Sequence, residues 1–311
     1  MNSPSSAHSP SSTAVALALA AVYVIWGSTY LAIKLALEGG FTPFWLGGIR
    51  FLIAGGLMFV FLRWRGEALP TRKQWMNAAM MGILLLLFGN GFVNYAEQSV
   101  SSGLAAVAVA SAPIWIALFA AMKGDRPTRL EWIGVMIGFV GVIWLNAGSS
   151  LRASPAGLIA LLIAPLAWSY GSIWSRGRDL PSPFMTSAAQ MLCAGVVMSL
   201  VALVRGEHMQ VPPTGHAIAA AAYLVVMGSL IGFSAYVWLL HHVRPALAGS
   251  YAYVNPVIAV VLGALLAHER FSARDLIPMA IIVLAVLAMT LGKAARGKSP
   301  PAAVSSEPEQ A

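Results

Sequence analysis

Residues 43–67 read PFWLGGIRFLIAGGLMFVFLRWRGE, and residues 183–207 read PFMTSAAQMLCAGVVMSLVALVRGE. The two stretches align without a gap, 140 positions apart, and nine of the 25 positions are identical: Pro43/Pro183, Phe44/Phe184, Leu52/Leu192, Ala54/Ala194, Gly55/Gly195, Met58/Met198, Arg65/Arg205, Gly66/Gly206 and Glu67/Glu207. Each is apolar over about 20 residues, the length that crosses the hydrocarbon of a bilayer. A polytopic membrane chain built from two copies of one unit is a common build of secondary transporters, with the binding site where the copies meet.

Further echoes lie on both sides of this pair, in the same order. Gly91-Phe92-Val93-Asn94-Tyr95 returns as Gly232-Phe233-Ser234-Ala235-Tyr236, and Pro113 returns as Pro256. Gly-Asp-Arg-Pro-Thr at 124–128 resembles His-Glu-Arg-Phe-Ser at 268–272. Composition agrees with a membrane chain: 59% of residues are hydrophobic and 10% charged, with mean hydropathy +0.76, where a soluble domain carries about 25% charge. Ten apolar segments can be marked, near 13–35, 41–62, 75–96, 101–122, 131–147, 155–175, 183–204, 216–240, 245–267 and 274–293. The expected fold is all-α and integral to the membrane. Five spans fall in 13–147 and five in 155–293, joined by a linker at 148–154. The Ser/Pro/Ala-rich ends, 1–12 and 294–311, read as disordered tails.

Five is odd, so the second unit enters the membrane from the side opposite to the first, and the repeat is inverted. The basic residues orient it. Loops on the side of the two tails hold thirteen Lys and Arg, those on the other side hold four, and Lys34 and Arg50 fall within spans. Positive residues favour the cytoplasmic side, which predicts both termini inside. The net charge of +8 therefore belongs to short loops and does not indicate nucleic acid. The single Cys193 excludes an internal disulfide and reads as a small packing residue.

The run Val24-Ile25-Trp26-Gly27-Ser28-Thr29-Tyr30-Leu31-Ala32-Ile33-Lys34 resembles the first-span signature of EamA-type carriers of the drug/metabolite transporter superfamily. Ala112-Pro113 through Gly141, and Val254-Asn255-Pro256 through Leu291, resemble the second half of an EamA unit. Asp125 stands in the turn where the family often has Glu, leaving the turn's charge intact. The resemblance implies a ten-helix carrier of the bacterial inner membrane, similar to amino-acid exporters of the YddG type.

Polar and aromatic residues within spans are the candidate site. Asn90, Asn94 and Gln98 recur every four residues on one face of span three. They read either as a helix–helix hydrogen-bond ladder or as the polar wall of a cavity, with Gln98 at the outer end meeting water. Tyr251 and Asn255 share a face of span nine. Pro113 and Pro256 free the carbonyls of Val109 and Ala252, either as ordinary kinks or as ligands for an ammonium group. Trp26, Tyr30, Trp115, Trp168 and Tyr236 complete an aromatic set, for core packing or for holding an apolar side chain. Trp26 and Trp168 both lie near mid-span, away from the interfaces. Arg50 lies about 10 Å inside its span. It reads as a snorkelling or gating residue paired with Glu97 or Glu38, or as the anchor of a substrate carboxylate. Gly27, Gly91, Pro113 and Pro256 are the expected hinges, with a turn at Gly89–Gly91.

The acidic residues all lie at span ends, in loops or in tails, so no buried carboxylate is placed to relay protons. Facilitated export or exchange by alternating access is expected. A single intramembrane arginine suits neutral or zwitterionic solutes better than sugar phosphates, and the expected substrates are amino acids, aromatic ones among them, with related small metabolites. Two alternatives belong beside this: a multidrug exporter of cationic compounds, and a non-transporting receptor or structural protein. The sequence shows no His-Glu-x-x-His metal set and no G-x-G-x-x-G after a strand, so neither an enzyme nor a metal or cofactor is expected. The expected partners are a small-molecule substrate and the lipid bilayer. One chain holds both halves of the pathway, so a monomer suffices.

Overall fold

Serine and threonine side chains cap the starts of six helices. Ser11 accepts a hydrogen bond from the Ala14 amide at 3.1 Å and opens α1 (Ser12–Glu38), which is 27 residues long. The remaining helices are α2 (Pro43–Trp64), α3 (Arg72–Ala96), α4 (Ser102–Val109), α5 (Ala112–Met122), α6 (Pro155–Trp174), α7 (Pro183–Val204), α8 (Gly215–Leu240) and α9 (Tyr251–Leu266). This computed structural model describes residues 11–124, 154–209, 211–243 and 251–266, scattered positions between 129 and 144, and 276–281 with 283–285. Most of the expected fifth span, of the linker and of span ten, the charged turn with Asp125, residues 1–10 of the first tail and the whole of the second lie outside the described residues. The described elements are all helical. Six of them, α1, α2, α3, α6, α7 and α8, are long and apolar enough to cross a bilayer.

Three local features depart from the sequence expectation. The apolar run at 101–122 is two helices, broken at Ala110–Ser111 just before Pro113. The Gly89–Gly91 turn is instead the end of a π-helical segment, Gly82–Gly91, inside the continuous α3. A second π-helical segment of the same length, Leu224–Phe233, lies inside α8. Wide turns of this kind recur at functional sites.

The look-alike helices α2 and α7 pack on each other, antiparallel. A Cβ on Gly195 would sit 2.8 Å from the Leu52 amide nitrogen, and one on Gly55 would sit 2.9 Å from the Leu192 amide nitrogen. These are corresponding positions of the two sequences, so the crossing is the same contact made twice. The shared Arg-Gly-Glu ends act in the same reciprocal way. Gly66 and Gly206 take positive φ of 85° and 65°, closing each helix by a left-handed turn that favours glycine. The next residue's amide then reaches back, Glu67 to the Leu62 carbonyl and Glu207 to the Ala202 carbonyl. Each glutamate is delivered to the start of the other helix. Glu67 accepts from the hydroxyl of Ser182, the N-cap of α7, at 2.7 Å. Glu207 accepts from the amides of Phe44 and Trp45 at 3.1 and 3.4 Å, at the start of α2.

These contacts define two ends of the bundle. At the end called upper here, the α1–α2 turn meets the segment before α8 (Thr214 amide to Gly39 carbonyl, 2.9 Å), and Ser99 meets Ser154. At the lower end, Gln74 and Asn77 bond Asp179, and Lys123 bonds the Ile173 carbonyl. Replacing Glu207 by Ala leaves the Phe44 and Trp45 amides without their acceptor. A loss of about 1 kcal/mol is expected, read as a lowered thermal midpoint of the purified protein, with Glu207→Gln losing less.

Candidate functional site

Four residues of α1 spaced i, i+3, i+4, i+7 (Trp26, Thr29, Tyr30, Ile33) face four of α3 with the same spacing (Leu86, Gly89, Asn90, Val93) across one cavity. The spacing puts the α1 set on a single helix face, while Leu86, Gly89 and Asn90 lie in the π-helical segment of α3. Arg50 and Phe51 of α2, Val109 of α4, Ala164 and Trp168 of α6, Gly228 and Phe233 of α8, and Tyr251 of α9 complete the lining.

On the lower side the cavity rests on packed rings. The Trp26 centroid lies 5.5 Å from that of Trp168 and 4.9 Å from that of Tyr251, both pairs edge-on. Tyr236 lies beneath, 4.9 Å from Trp26, 5.4 Å from Trp168 and 5.5 Å from Tyr251. Hydrogen bonds hold these rings in place: Trp168 Nε1 donates to Tyr236 Oη at 3.2 Å, and Trp26 Nε1 donates to the Gly228 carbonyl at 3.2 Å. Each tryptophan also lies flush on a glycine of a π-helical segment. A Cβ on Gly89 would meet Trp168 at 2.9 Å, and one on Gly232 would meet Trp26 Nε1 at 2.7 Å. On the upper side, Ala36, Leu46, Ala96, Leu104 and Leu161 belong to one buried apolar cluster with Tyr30 and Ile33.

Arg50 is 4% exposed and reaches neither end of the bundle. Its Nε donates to Ser229 Oγ at 2.7 Å. Neither Glu97 nor Glu38 pairs with it, and it does not snorkel; Glu97 is itself buried at 4% exposed, so the expectation that no carboxylate is buried does not hold at the upper end of α3. The expected gate pair is replaced by a bond to a hydroxyl in the apolar run 224–233.

Of the residues expected at the site, Trp26, Tyr30, Arg50, Asn90, Trp168 and Tyr251 line the cavity. Tyr236 lies under the rings, without lining it. Asn94, one turn beyond Asn90, turns toward α2 and donates to the Pro43 carbonyl at 3.1 Å, acting as helix glue. Asn255, with its amide nitrogen toward two carbonyls, donates to Tyr251 at 3.1 Å and Tyr23 at 3.2 Å and ties α9 to α1. Trp115 and Pro113 are half-buried and outside the lining, and Pro256 lies within α9. At Gly27 a Cβ would meet Ile258 at 2.7 Å, and at Gly91 one would meet Met198 Cε at 3.0 Å. Both glycines are close-packing positions here. Thr29, Gly228 and Ser229 were not singled out by sequence. The one available signal was Ser229 as the sole polar side chain between Leu224 and Phe233.

Comparison with known proteins follows the same outline. The sequence pattern described as the EamA-like transporter family is matched twice, over residues 13–147 and 155–291. The chain is 44% identical over 277 residues to the uncharacterized inner membrane transporter YedA of Escherichia coli K12, covering 89% of this chain and 90% of that protein. It is 22% identical to the uncharacterized transporter YoaV of Bacillus subtilis, over 89% of this chain and 96% of that one. A crystal structure at 21% identity superimposes with a TM-score of 0.67, covering 93% of this chain and all of the other, a likeness of fold.

Proposed function

The chain belongs to the EamA-like transporter family and is a multi-pass transporter of the bacterial inner membrane, and from that premise we propose that it moves amino acids, aromatic ones included, and related small metabolites outward by alternating access. The observation that carries this reading is the cavity itself. It lies between the two ends of the bundle, and its walls come from helices on both sides of the duplication: α1, α2, α3 and α4 from the first half, α6, α8 and α9 from the second. Rings offer a surface for an apolar side chain, and Arg50, Thr29, Tyr30 and Asn90 offer polar anchors. Outward direction rests on the sequence resemblance to exporters.

The reading includes ten helices in two inverted five-helix units, with both termini cytoplasmic and the lower end facing the cytoplasm. Four observations support the inversion: the antiparallel packing of α2 on α7, the exchanged glutamate caps, the paired π-helical segments, and the double match to one family pattern. Such a pair of units can exchange shapes and open the cavity to each side in turn. Gly27, Gly91, Pro113 and Pro256 remain the hinge residues of this proposal, and the chain acts as a monomeric carrier rather than an enzyme.

Counterflow in liposomes tests it. Purified protein in vesicles preloaded with phenylalanine should accumulate labelled phenylalanine transiently and saturably, at the same rate with and without a pH gradient. Absence of counterflow for every amino acid tried, with uptake of an amino-free cationic compound instead, would replace this reading with that of a cationic-drug exporter. Counterflow that requires a proton gradient would remove the facilitated mechanism.

A further inference from the structure

Among the described residues one charged group in the cavity, Arg50, has no carboxylate beside it; its guanidinium carbon lies 4.9 Å from the centroid of the Phe51 ring. Arginine carries five N–H donors, and among the described residues only Nε–H of Arg50 is bonded, to Ser229. Its guanidinium lies close under α8, where a Cβ on Gly228 would sit 2.8 Å from Nη2. Among the described residues no carboxylate lies in ion-pairing range of it. A buried cation without an opposing charge is strongly unfavourable. Packing does not require it, because the same position of the second copy is Gln190, fully buried and neutral.

We propose that Arg50, held by Ser229, is a carboxylate-binding site, that a carboxylate is the obligatory group of the transported solute, and that its ammonium group is dispensable. Aromatic monocarboxylates without an amine are then substrates alongside amino acids. The proposal rests on the transport reading and specifies its substrate class. A planar guanidinium with free Nη–H groups matches a carboxylate bidentately. One guanidinium balances one negative charge, and no second cation lines the cavity among the described residues, so a monoanion fits and a phosphate dianion does not. Trp26, Trp168 and Tyr251 supply ring faces and edges for the apolar part. The other polar lining groups, Thr29, Tyr30 and Asn90, are uncharged, so no described lining residue offers an anion to an ammonium. A bare amine would meet the like charge of Arg50.

Phenylalanine stripped of one group at a time separates these roles. 3-Phenylpropionate, phenethylamine and phenylalanine are titrated calorimetrically into the full-length wild type and into Arg50→Gln, Arg50→Lys and Ser229→Ala, each checked for a thermal midpoint no lower than that of the wild type. The Gln variant copies the residue at the duplicated position, and the Lys variant keeps the charge without the fork. Wild type should bind 3-phenylpropionate and phenylalanine but not phenethylamine. Arg50→Gln should weaken both by about 30-fold or more, with Arg50→Lys recovering part of that and Ser229→Ala losing several-fold. Binding of phenethylamine without 3-phenylpropionate, equal binding by Arg50→Gln, or binding of no carboxylate would overturn the proposal. Phenylalanine counterflow in the same preparations keeps the two readings apart. Flux that survives Arg50→Gln sinks the anchor and leaves the carrier. Arg50-dependent 3-phenylpropionate binding without phenylalanine flux leaves the anchor and sinks the amino-acid carrier.

Discussion

Gly195→Leu yields no folded protein, while Gly56→Leu on the neighbouring helix is tolerated. At 195 even a methyl group would sit 2.8 Å from the backbone nitrogen and the Cγ of Leu52, and 3.2 Å from the Gly48 carbonyl. Backbone cannot step aside as a flexible side chain can, so α2 itself has to move. Adding a methylene or two to a packed contact costs about 1–3 kcal/mol, and a whole isobutyl group forces the helices apart. Helices in lipid have little hydrophobic drive to associate, and close packing at small residues supplies much of what holds them. Separation also removes both glutamate caps, Glu67 to Ser182 and Glu207 to the start of α2. Gly55→Leu meets the same obstacle from the other side, at the Leu192 amide. Gly56 has nothing within 4 Å of its Cβ position, so a leucine there enters open space. Size-exclusion profiles of detergent-solubilised fluorescent fusions give the result: a monodisperse peak for Gly56→Leu and aggregate or no protein for Gly195→Leu. Similar profiles for both would show that this crossing does not hold the bundle.

Trp168→Ala removes the ring that the cavity is built around. Trp168 is 8% exposed, packs edge-on to Trp26 and Phe233, lies against Gly89 and donates to Tyr236. Truncating a buried tryptophan costs about 3–5 kcal/mol. Here the loss also leaves the Tyr236 hydroxyl without the indole donor and opens the floor beneath the substrate. Counterflow is expected to fall to background and the thermal midpoint to drop. Trp168→Phe separates the two effects. It keeps a ring and gives up the hydrogen bond, a loss of about 1 kcal/mol, so its fold should survive with flux reduced rather than abolished. Wild-type flux in Trp168→Ala would place the transport path elsewhere.

Six of the expected spans, those of α1, α2, α3, α6, α7 and α8, could be read from the sequence because hydrocarbon demands long apolar runs, and a bilayer leaves little latitude in their length. Trp26, Tyr30, Asn90, Trp168 and Tyr251 stood out as rings and amides within apolar spans, and all five line the cavity. What the residues do there was less visible. Asn90 and Asn94 are identical in type and one turn apart, yet one lines the cavity and the other serves the Pro43 carbonyl, because neighbouring helices decide which face is used. The π-helical segments left no mark, since Gly82–Gly91 and Leu224–Phe233 are ordinary apolar runs until another helix presses a tryptophan or an arginine against their glycines. Arg50 was conspicuous as the one cation well inside a span, but its partner Ser229 lies 179 residues away and no local pattern joins them. The Arg-Gly-Glu ends could be seen as repeated. Their use as exchanged caps follows only from the antiparallel crossing of α2 on α7.

Alternating access through this cavity is the central claim, and cysteine accessibility tests it most directly. Cys193 is the only cysteine, so Cys193→Ser gives a silent background for Ile33→Cys, toward the upper end, and Phe233→Cys, toward the lower end. Both positions are 2% exposed. Labelling rates with a membrane-impermeant maleimide, applied to each face of oriented vesicles with and without saturating phenylalanine, should move in opposite directions at the two sites. Rates that rise or fall together, or that ignore phenylalanine at both positions, would contradict the account.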